Sequence, residues 1–219
     1  MSITNYAELQ AAIASWLARG DLGSYIPDFI TLAEQRIFYG SDDPAFPSPP
    51  LRLRAMEQAT DATTYRTTAS VQTLALPAGF LEARAVSLAT SPPADLDFVT
   101  LKQLAQLQLG AVAAQPKVYT LQGDNLAFGP VPDTAYGVTL VYYKKLDPLA
   151  ATPTNWLLGN APGVYLYAAL LEAQPFLMND ARLSVWGAML GAATRALTKA
   201  DEQGRWGGQL LVRGDTGNP

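Results

Sequence analysis

The side chains that could support hydrolytic chemistry are acidic, and they occur as three pairs: Asp42/Asp43, Asp95/Asp97 and Asp201/Glu202. A carboxylate-based glycosidase needs two carboxyl groups across a cleft, one of which burial keeps protonated. The three pairs fall in proline-rich loops or at a charged helix end, where solvent keeps both carboxylates ionised. We therefore interpret them as solvated surface charges and assign no catalytic residue.

Histidine and cysteine are both absent from the sequence. Their absence excludes disulfides, thiolate nucleophiles, zinc or haem sites built on Cys and His, and catalysis with an imidazole base. The sequence also lacks a phosphate-binding glycine motif and an acidic calcium-binding loop. We therefore predict that the protein is not an enzyme and has no cofactor-binding or metal-binding residues.

Charged residues are scarce. They make up 16% of the 219 residues, whereas about 25% is ordinary for soluble domains. The net charge of −4 argues against broad electrostatic binding to nucleic acid or to an anionic membrane. No secretory signal and no apolar stretch of about 18 residues is visible, so we expect a soluble protein that is intracellular at synthesis. A charge-poor surface is typical of a subunit that an assembly partly covers.

Two other residue patterns leave alternatives open. Arg52 and Arg54 could contact phosphate from one face of a predicted strand, although a solvated strand face explains them more simply. Aromatic residues of the predicted strands could stack on sugars or bases, although core packing is their commoner role; they are Tyr119, Phe128, Tyr136, Tyr142 and Tyr143. The alternatives are a carbohydrate-binding or tail-spike-type module that uses these aromatics, and a cell-wall hydrolase that uses Asp95 and Asp97.

Both ends of the chain have helical periodicity. Asn5 and Glu8 stand at capping-box spacing before the first helix, and Gly20 is predicted to be its C-cap. A second helix runs to Gly40, and two further helices follow residue 154, the last with a heptad-like seam. We expect these helices to pack around shared core residues, namely Trp16, Phe29, Leu170, Trp186 and Leu190.

The middle of the chain has the pattern of a small β domain. Residues 41–50 hold four prolines and predict a stiff loop. Beyond them, residues 51–146 predict about six short antiparallel strands and one short helix, with strands at 51–58, 71–76, 80–88, 118–121, 126–128 and 138–144. The fold class is α+β: residues 1–40 and 154–206 form a helical bundle, residues 51–146 an inserted β-rich domain, and residues 207–219 a flexible C-terminal extension.

The extension has an apolar centre on a glycine tether. Leu210, Leu211 and Val212 follow Gly207 and Gly208, and such a triplet is poorly placed to bury itself in the bundle. It is suited to adding a strand to a neighbouring protein or to lying in that protein's groove. We therefore predict a partner interface formed by Trp206, Leu210, Leu211, Val212 and Arg213.

Several stretches, taken in order, resemble the head-to-tail adaptor (connector) proteins of short-tailed bacteriophages. The most specific is the Thr-Asn-Trp-Leu-Leu segment at 154–158, which precedes a tyrosine-rich helix. The stretches that carry the resemblance are residues 5–9 with 26–34, 76–82, 130–132 before 138–143, and 153–158 before 165–173. They span nearly the whole chain.

This resemblance implies a structural virion protein at the head-tail junction, made in the host cytoplasm. Such proteins form a ring, usually of twelve copies, beneath the portal protein and above the tail nozzle. DNA passes through the ring during ejection without specific binding, and no membrane is involved. The resemblance also implies that the C-terminal extension grips the portal, so the interface residues named above are expected to contact the portal or a neighbouring subunit.

Overall fold

The computed structural model describes residues 3–110, 112–177 and 181–205. These residues form helices and two small sheets, so the predicted α+β class is confirmed. They divide into two compact units. The helical unit contains the described residues up to Arg54 and those from Asp147 onward, and the β unit runs from Ala55 to Leu146.

Six α-helices occur in the described parts of the chain: α1 (Tyr6–Leu17), α2 (Ile26–Tyr39), α3 (Leu101–Gln108), α4 (Trp156–Asn160), α5 (Pro162–Glu172) and α6 (Arg182–Arg205). All except α3 belong to the helical unit. Helix α5 is its centre because apolar residues surround it on all sides, and it packs against α1, α2, α4 and α6. Pro162 begins α5, where a missing backbone N–H costs nothing.

The first helix is capped differently from the prediction at both ends. The Asn5 side chain accepts a hydrogen bond from the Glu8 amide at 3.0 Å, as expected, but the Glu8 carboxylate accepts from the backbone N–H and hydroxyl of Thr4. At the other end Ala18, not Gly20, takes the left-handed conformation (φ 52°). Its amide donates to the Ala14 carbonyl, and a 3-10 turn that buries Leu22 follows at Gly20–Tyr25.

Four of the five predicted core residues are buried, and Trp16 is not. Phe29, Leu170, Trp186 and Leu190 are each at most 4% exposed, whereas Trp16 is 43% exposed. The expectation for Trp16 was wrong because α1 turns Leu9, Ala12, Ile13 and Leu17 toward the core instead. The indole meets the edge of the Tyr167 ring at 5.8 Å at the border of the unit.

The described residues of the β unit contain eight strands: β1 (Glu57–Ala59), β2 (Thr73–Ala75), β3 (Phe80–Leu88), β4 (Ala94–Asp95), β5 (Asp97–Phe98), β6 (Val118–Gln122), β7 (Asn125–Gly129) and β8 (Val138–Lys144). They form two four-stranded sheets, ordered β1-β8-β3-β4 and β2-β7-β6-β5. Both sheets contribute to one core, which includes Val86, Phe128 and Leu140. The chain passes from one sheet to the other at the buried Leu96, between β4 and β5.

Strands β3 and β8 have the predicted bounds, but other parts of the unit differ from the prediction. The strand expected at 51–58 is absent: a 3-10 turn occupies Arg54–Met56, and pairing begins only with β1. Leu51 and Leu53 alternate because both are buried in the helical unit, with the Leu51 amide donating to the Ile37 carbonyl. The pairing of β5 with β6 is parallel, which departs from the expected antiparallel sheet.

The burial of Trp186 leads to a stability prediction. Trp186→Ala removes a ring that is 3% exposed and should lower the free energy of unfolding of the helical unit by about 3–5 kcal/mol. Val185→Ala, at the neighbouring α6 position, is the control because Val185 is 53% exposed; it should change stability by no more than about 0.5 kcal/mol. Denaturant unfolding followed by circular dichroism measures both, and a loss below about 1 kcal/mol for Trp186→Ala would contradict the packing described.

Candidate functional site

The three acidic pairs lie in the segment after α2, on the short strands β4 and β5, and near the end of α6. Asp95 and Asp97 are exposed, on β4 and β5 and not in a loop as expected. Asp43 accepts the Ala45 amide within a turn, and Asp201 accepts the backbone amide and Nε of Arg54 at 2.9 and 3.2 Å. Within residues 3–110, 112–177 and 181–205, no group of three or more acidic residues is arranged to hold a metal ion.

The aromatic residues of the strands do not form a stacking platform. Phe128 is fully buried, and Tyr119, Tyr142 and Tyr143 are at most 7% exposed. Tyr136 is half-buried, and its hydroxyl donates to an Asp133 carboxylate oxygen at 2.8 Å. Burial raises the pKa of the Tyr119 and Tyr142 hydroxyls. The burial of Tyr119, Phe128, Tyr142 and Tyr143 agrees with the core packing that was the simpler interpretation of these residues and leaves no exposed platform for sugars or bases among them.

The two arginines considered for phosphate binding form internal contacts. Arg52 donates to the carbonyl oxygens of Phe38 and Leu51 at 2.8 and 2.9 Å. Arg54 bonds to Asp201 and donates to the Gly204 carbonyl at 3.1 Å. Both guanidinium groups therefore hold the segment after α2 in place within the helical unit.

The proline-rich segment follows α2, and its residues 46–54 run alongside α6. The Phe46 ring lies on Gly187 so closely that a Cβ there would be 2.3 Å from the ring Cδ1, and Arg54 reaches Gly204. The segment thus contacts α6 from Gly187 to Gly204.

Hydrogen bonds to α2 and within the segment fix its course. Ser41 and Ser48 exchange two backbone hydrogen bonds of 2.8 Å. Arg36 of α2 donates to the Phe46 carbonyl at 3.0 Å and also pairs with Glu172 of α5. The segment is therefore fixed at Phe46 by Arg36 and on either side of Phe46 by the pairing of Ser41 with Ser48.

A groove of about 720 Å³ lies between this segment and α6. Phe46, Pro47, Pro49, Pro50 and Leu51 line one side, with Leu171 of α5 also in the lining. The α6 side changes along its length, from Gly187, Leu190 and Gly191 to Thr194, Arg195, Thr198, Lys199 and Glu202. An apolar cleft of this size with a few polar groups at its border is typical of a binding site.

A second candidate surface lies on the β unit. Five large apolar side chains around α3 are more than half exposed, and Leu109 and Val112 exceed 80%; the others are Phe98, Leu101 and Leu107. The one charged residue in the sequence from 98 to 116 is Lys102. Clustered exposed apolar residues mark surfaces that contact other proteins. The near absence of charge in this stretch was a signal that could have revealed this surface from sequence.

The groove was not among the features predicted from the sequence, although Gly187 and Gly191 stand four residues apart on the α6 side that lines it. Gly187 does pack closely, but its neighbour is Phe46 of the proline-rich segment. The interface residues predicted in the extension, Trp206, Leu210, Leu211, Val212 and Arg213, lie outside the described residues.

The two glycines should respond oppositely to substitution. Gly187→Ala places a Cβ against Phe46; overpacking costs up to about 3 kcal/mol and the helix-propensity gain is about 1 kcal/mol, so we expect a net loss of about 1–2 kcal/mol. Gly191→Ala meets only the flexible end of Arg195 at 3.1 Å and should gain up to about 1 kcal/mol. Thermal unfolding of both variants checks this, and equal effects would contradict the close contact at Gly187.

The described helices include none that is both long and apolar enough to cross a membrane.

No curated protein sequence matches the chain. The family model described as SU10 adaptor protein matches residues 4–213. A match over nearly the whole length shows that the chain belongs to the SU10 adaptor protein family, a family of phage adaptor proteins.

Proposed function

We propose that the protein is the subunit of a head-to-tail adaptor ring in the virion. Twelve copies form the ring, which binds beneath the portal protein, carries the tail nozzle on its other side and surrounds the DNA channel. The observation that carries this proposal is the family match over residues 4–213. An adaptor joins two assemblies, and the head-tail junction is the place in a phage particle where such a joint is required.

Two unpartnered surfaces support a role in assembly. The groove of the helical unit is concave, and the apolar surface around α3 is exposed on the β unit. Different surface patches on one chain allow head-to-tail contacts between copies, and such contacts generate closed rings when the rotation closes. The protein therefore acts by assembly, and the proposal includes no catalytic step and no cofactor.

The charge of the chain supports DNA passage without retention. Binding to the DNA backbone depends on cations that neutralise phosphates, and the chain carries a net charge of −4. A lumen that held DNA tightly would oppose ejection. The proposal therefore places DNA inside the ring without sequence-specific contacts.

Electron microscopy of the purified protein mixed with its cognate portal protein tests the ring. We expect a twelve-fold ring of additional density on one end of the portal, visible in class averages. The portal alone is the control. Portal particles that stay unchanged at saturating adaptor concentration would contradict the proposed function.

The proposed interface in the extension is tested by truncation. A chain that ends at Arg205 lacks Trp206 and the triplet Leu210–Val212, so it should bind the portal at least tenfold more weakly while its melting temperature stays within about 2 °C. A chain that ends at Arg213 keeps the interface residues and is the matched control. A melting temperature that falls strongly while portal binding persists would show that the extension stabilises its own subunit instead.

A further inference from the structure

The groove of the helical unit is formed before any partner binds. Its proline-rich wall is fixed by the paired hydrogen bonds of Ser41 and Ser48 and by the bond from Arg36 to the Phe46 carbonyl. At its other end, Arg54 holds the segment to Asp201 and Gly204 of α6. A partner therefore meets a cleft whose walls need little further ordering, which favours binding.

The walls select for apolar side chains and not for an added strand. Proline has no backbone N–H, so Pro47, Pro49 and Pro50 offer no donors to an incoming strand. The backbone of α6 is already hydrogen-bonded within the helix. In front of Gly191 lies the Arg195 guanidinium, 3.1 Å from where a Cβ would be, and this flexible side-chain end can move aside for an incoming group. Short aliphatic side chains suit this space.

The chain itself carries such a segment. Residues 209–213 read Gln-Leu-Leu-Val-Arg, an aliphatic triplet between polar residues, and they follow the end of α6 at Arg205. We infer that the groove binds residues 209–213 of a second copy of this chain, so that the extension of one subunit joins it to its neighbour. This inference rests on the proposed ring and names the surface that receives the extension.

Reach limits how a chain's own extension could enter the groove. Leu190 is fifteen residues before Arg205, or about 23 Å along the helix axis. Leu210 is five residues beyond Arg205 and can lie at most about 18 Å from it when fully extended. A chain's own extension could therefore place its apolar triplet in the groove only by folding straight back along α6, which fixes the direction in which it would lie.

Charge indicates the direction of the segment. Arg195 and Lys199 border the middle of the groove, and Glu202 lies at its C-terminal end. Glu202 forms no ion pair among the described residues. With Leu210 toward Leu190, Arg213 points toward Glu202, whereas the opposite direction moves Arg213 toward Arg195. A chain's own extension, folded back along α6, would have that opposite direction.

Disulfide trapping tests the contact cleanly because the protein has no cysteine of its own. Leu211→Cys and Thr194→Cys chains are prepared separately, mixed and assembled on the portal before mild oxidation. We expect a disulfide-linked dimer on a non-reducing gel. Ala192→Cys replaces Thr194→Cys in the control, since Ala192 is exposed and outside the groove lining; its yield with Leu211→Cys should be at least tenfold lower.

A chain with both Leu211→Cys and Thr194→Cys separates the possible occupants. Linked multimers up to the full ring support the inference. An internal disulfide within a monomer would show that the groove binds its own extension, and a disulfide yield no higher than the Ala192→Cys control in rings visible by microscopy would show that another partner occupies it. Both results overturn the inference and leave the proposed ring intact. An absence of rings would contradict both the inference and the proposed function.

Blocking the groove provides a second test that does not use cysteine. Gly191→Leu places a large side chain on the groove side of α6, where it must displace the Arg195 guanidinium and occupy the groove. It should weaken association between subunits at least tenfold, measured by sedimentation of portal complexes. Ala192→Leu adds the same side chain to an exposed face of α6 and should assemble normally. Melting temperatures of both variants report folding, and normal assembly by a well-folded Gly191→Leu chain would overturn the inference.

Discussion

The guanidinium of Arg36 joins three parts of the helical unit, and the groove depends on it. Arg36 lies on α2, pairs with Glu172 at the end of α5 and donates to the Phe46 carbonyl of the proline-rich segment. Both side chains of the pair are largely buried, at 10% and 18% exposure. Removing one member of a buried pair leaves an uncompensated charge, which typically costs about 3–5 kcal/mol. The cation thus couples the position of the groove wall to the packing of the core helix.

The segments that carry the family resemblance have structural roles that explain their composition. Asn155 accepts the Leu158 amide at the start of α4, and its side-chain amide donates to the Tyr165 hydroxyl of the fully buried α5 face at 2.8 Å. Burial raises the pKa of that tyrosine, so it remains a neutral donor and acceptor. Glu34 of α2 is 5% exposed and accepts the Leu149 amide at 2.8 Å. These polar contacts fix how the chain returns from the β unit to the helices.

The spacing of apolar residues correctly predicted those helices and strands in which the spacing arises from packing one face against a core. Strands β3 and β8 alternate because one face of their sheet packs on the core of the β unit, and the helices carry apolar stripes that face α5. The alternation at Leu51 and Leu53 has a different cause, since an extended segment buried beside a helix has the same two-residue period as a strand. Strands β4 and β5 have two residues each, too few for a sequence pattern, and they are recognised as strands only because they pair with β3 and β6. The groove was not predictable for the same reason, because it requires Phe46 to meet Gly187.

Few of the arginines in the described part of the chain are without a contact inside the subunit. Seven arginines in the described part of the chain contact carboxylates, backbone carbonyls or aromatic rings: Arg19, Arg36, Arg52, Arg54, Arg66, Arg84 and Arg182. A guanidinium committed in this way loses part of its capacity to bind phosphate, since its donors already have acceptors. The fold therefore uses most of its described arginines to build the subunit, which leaves few guanidinium groups on the exterior that could bind phosphate.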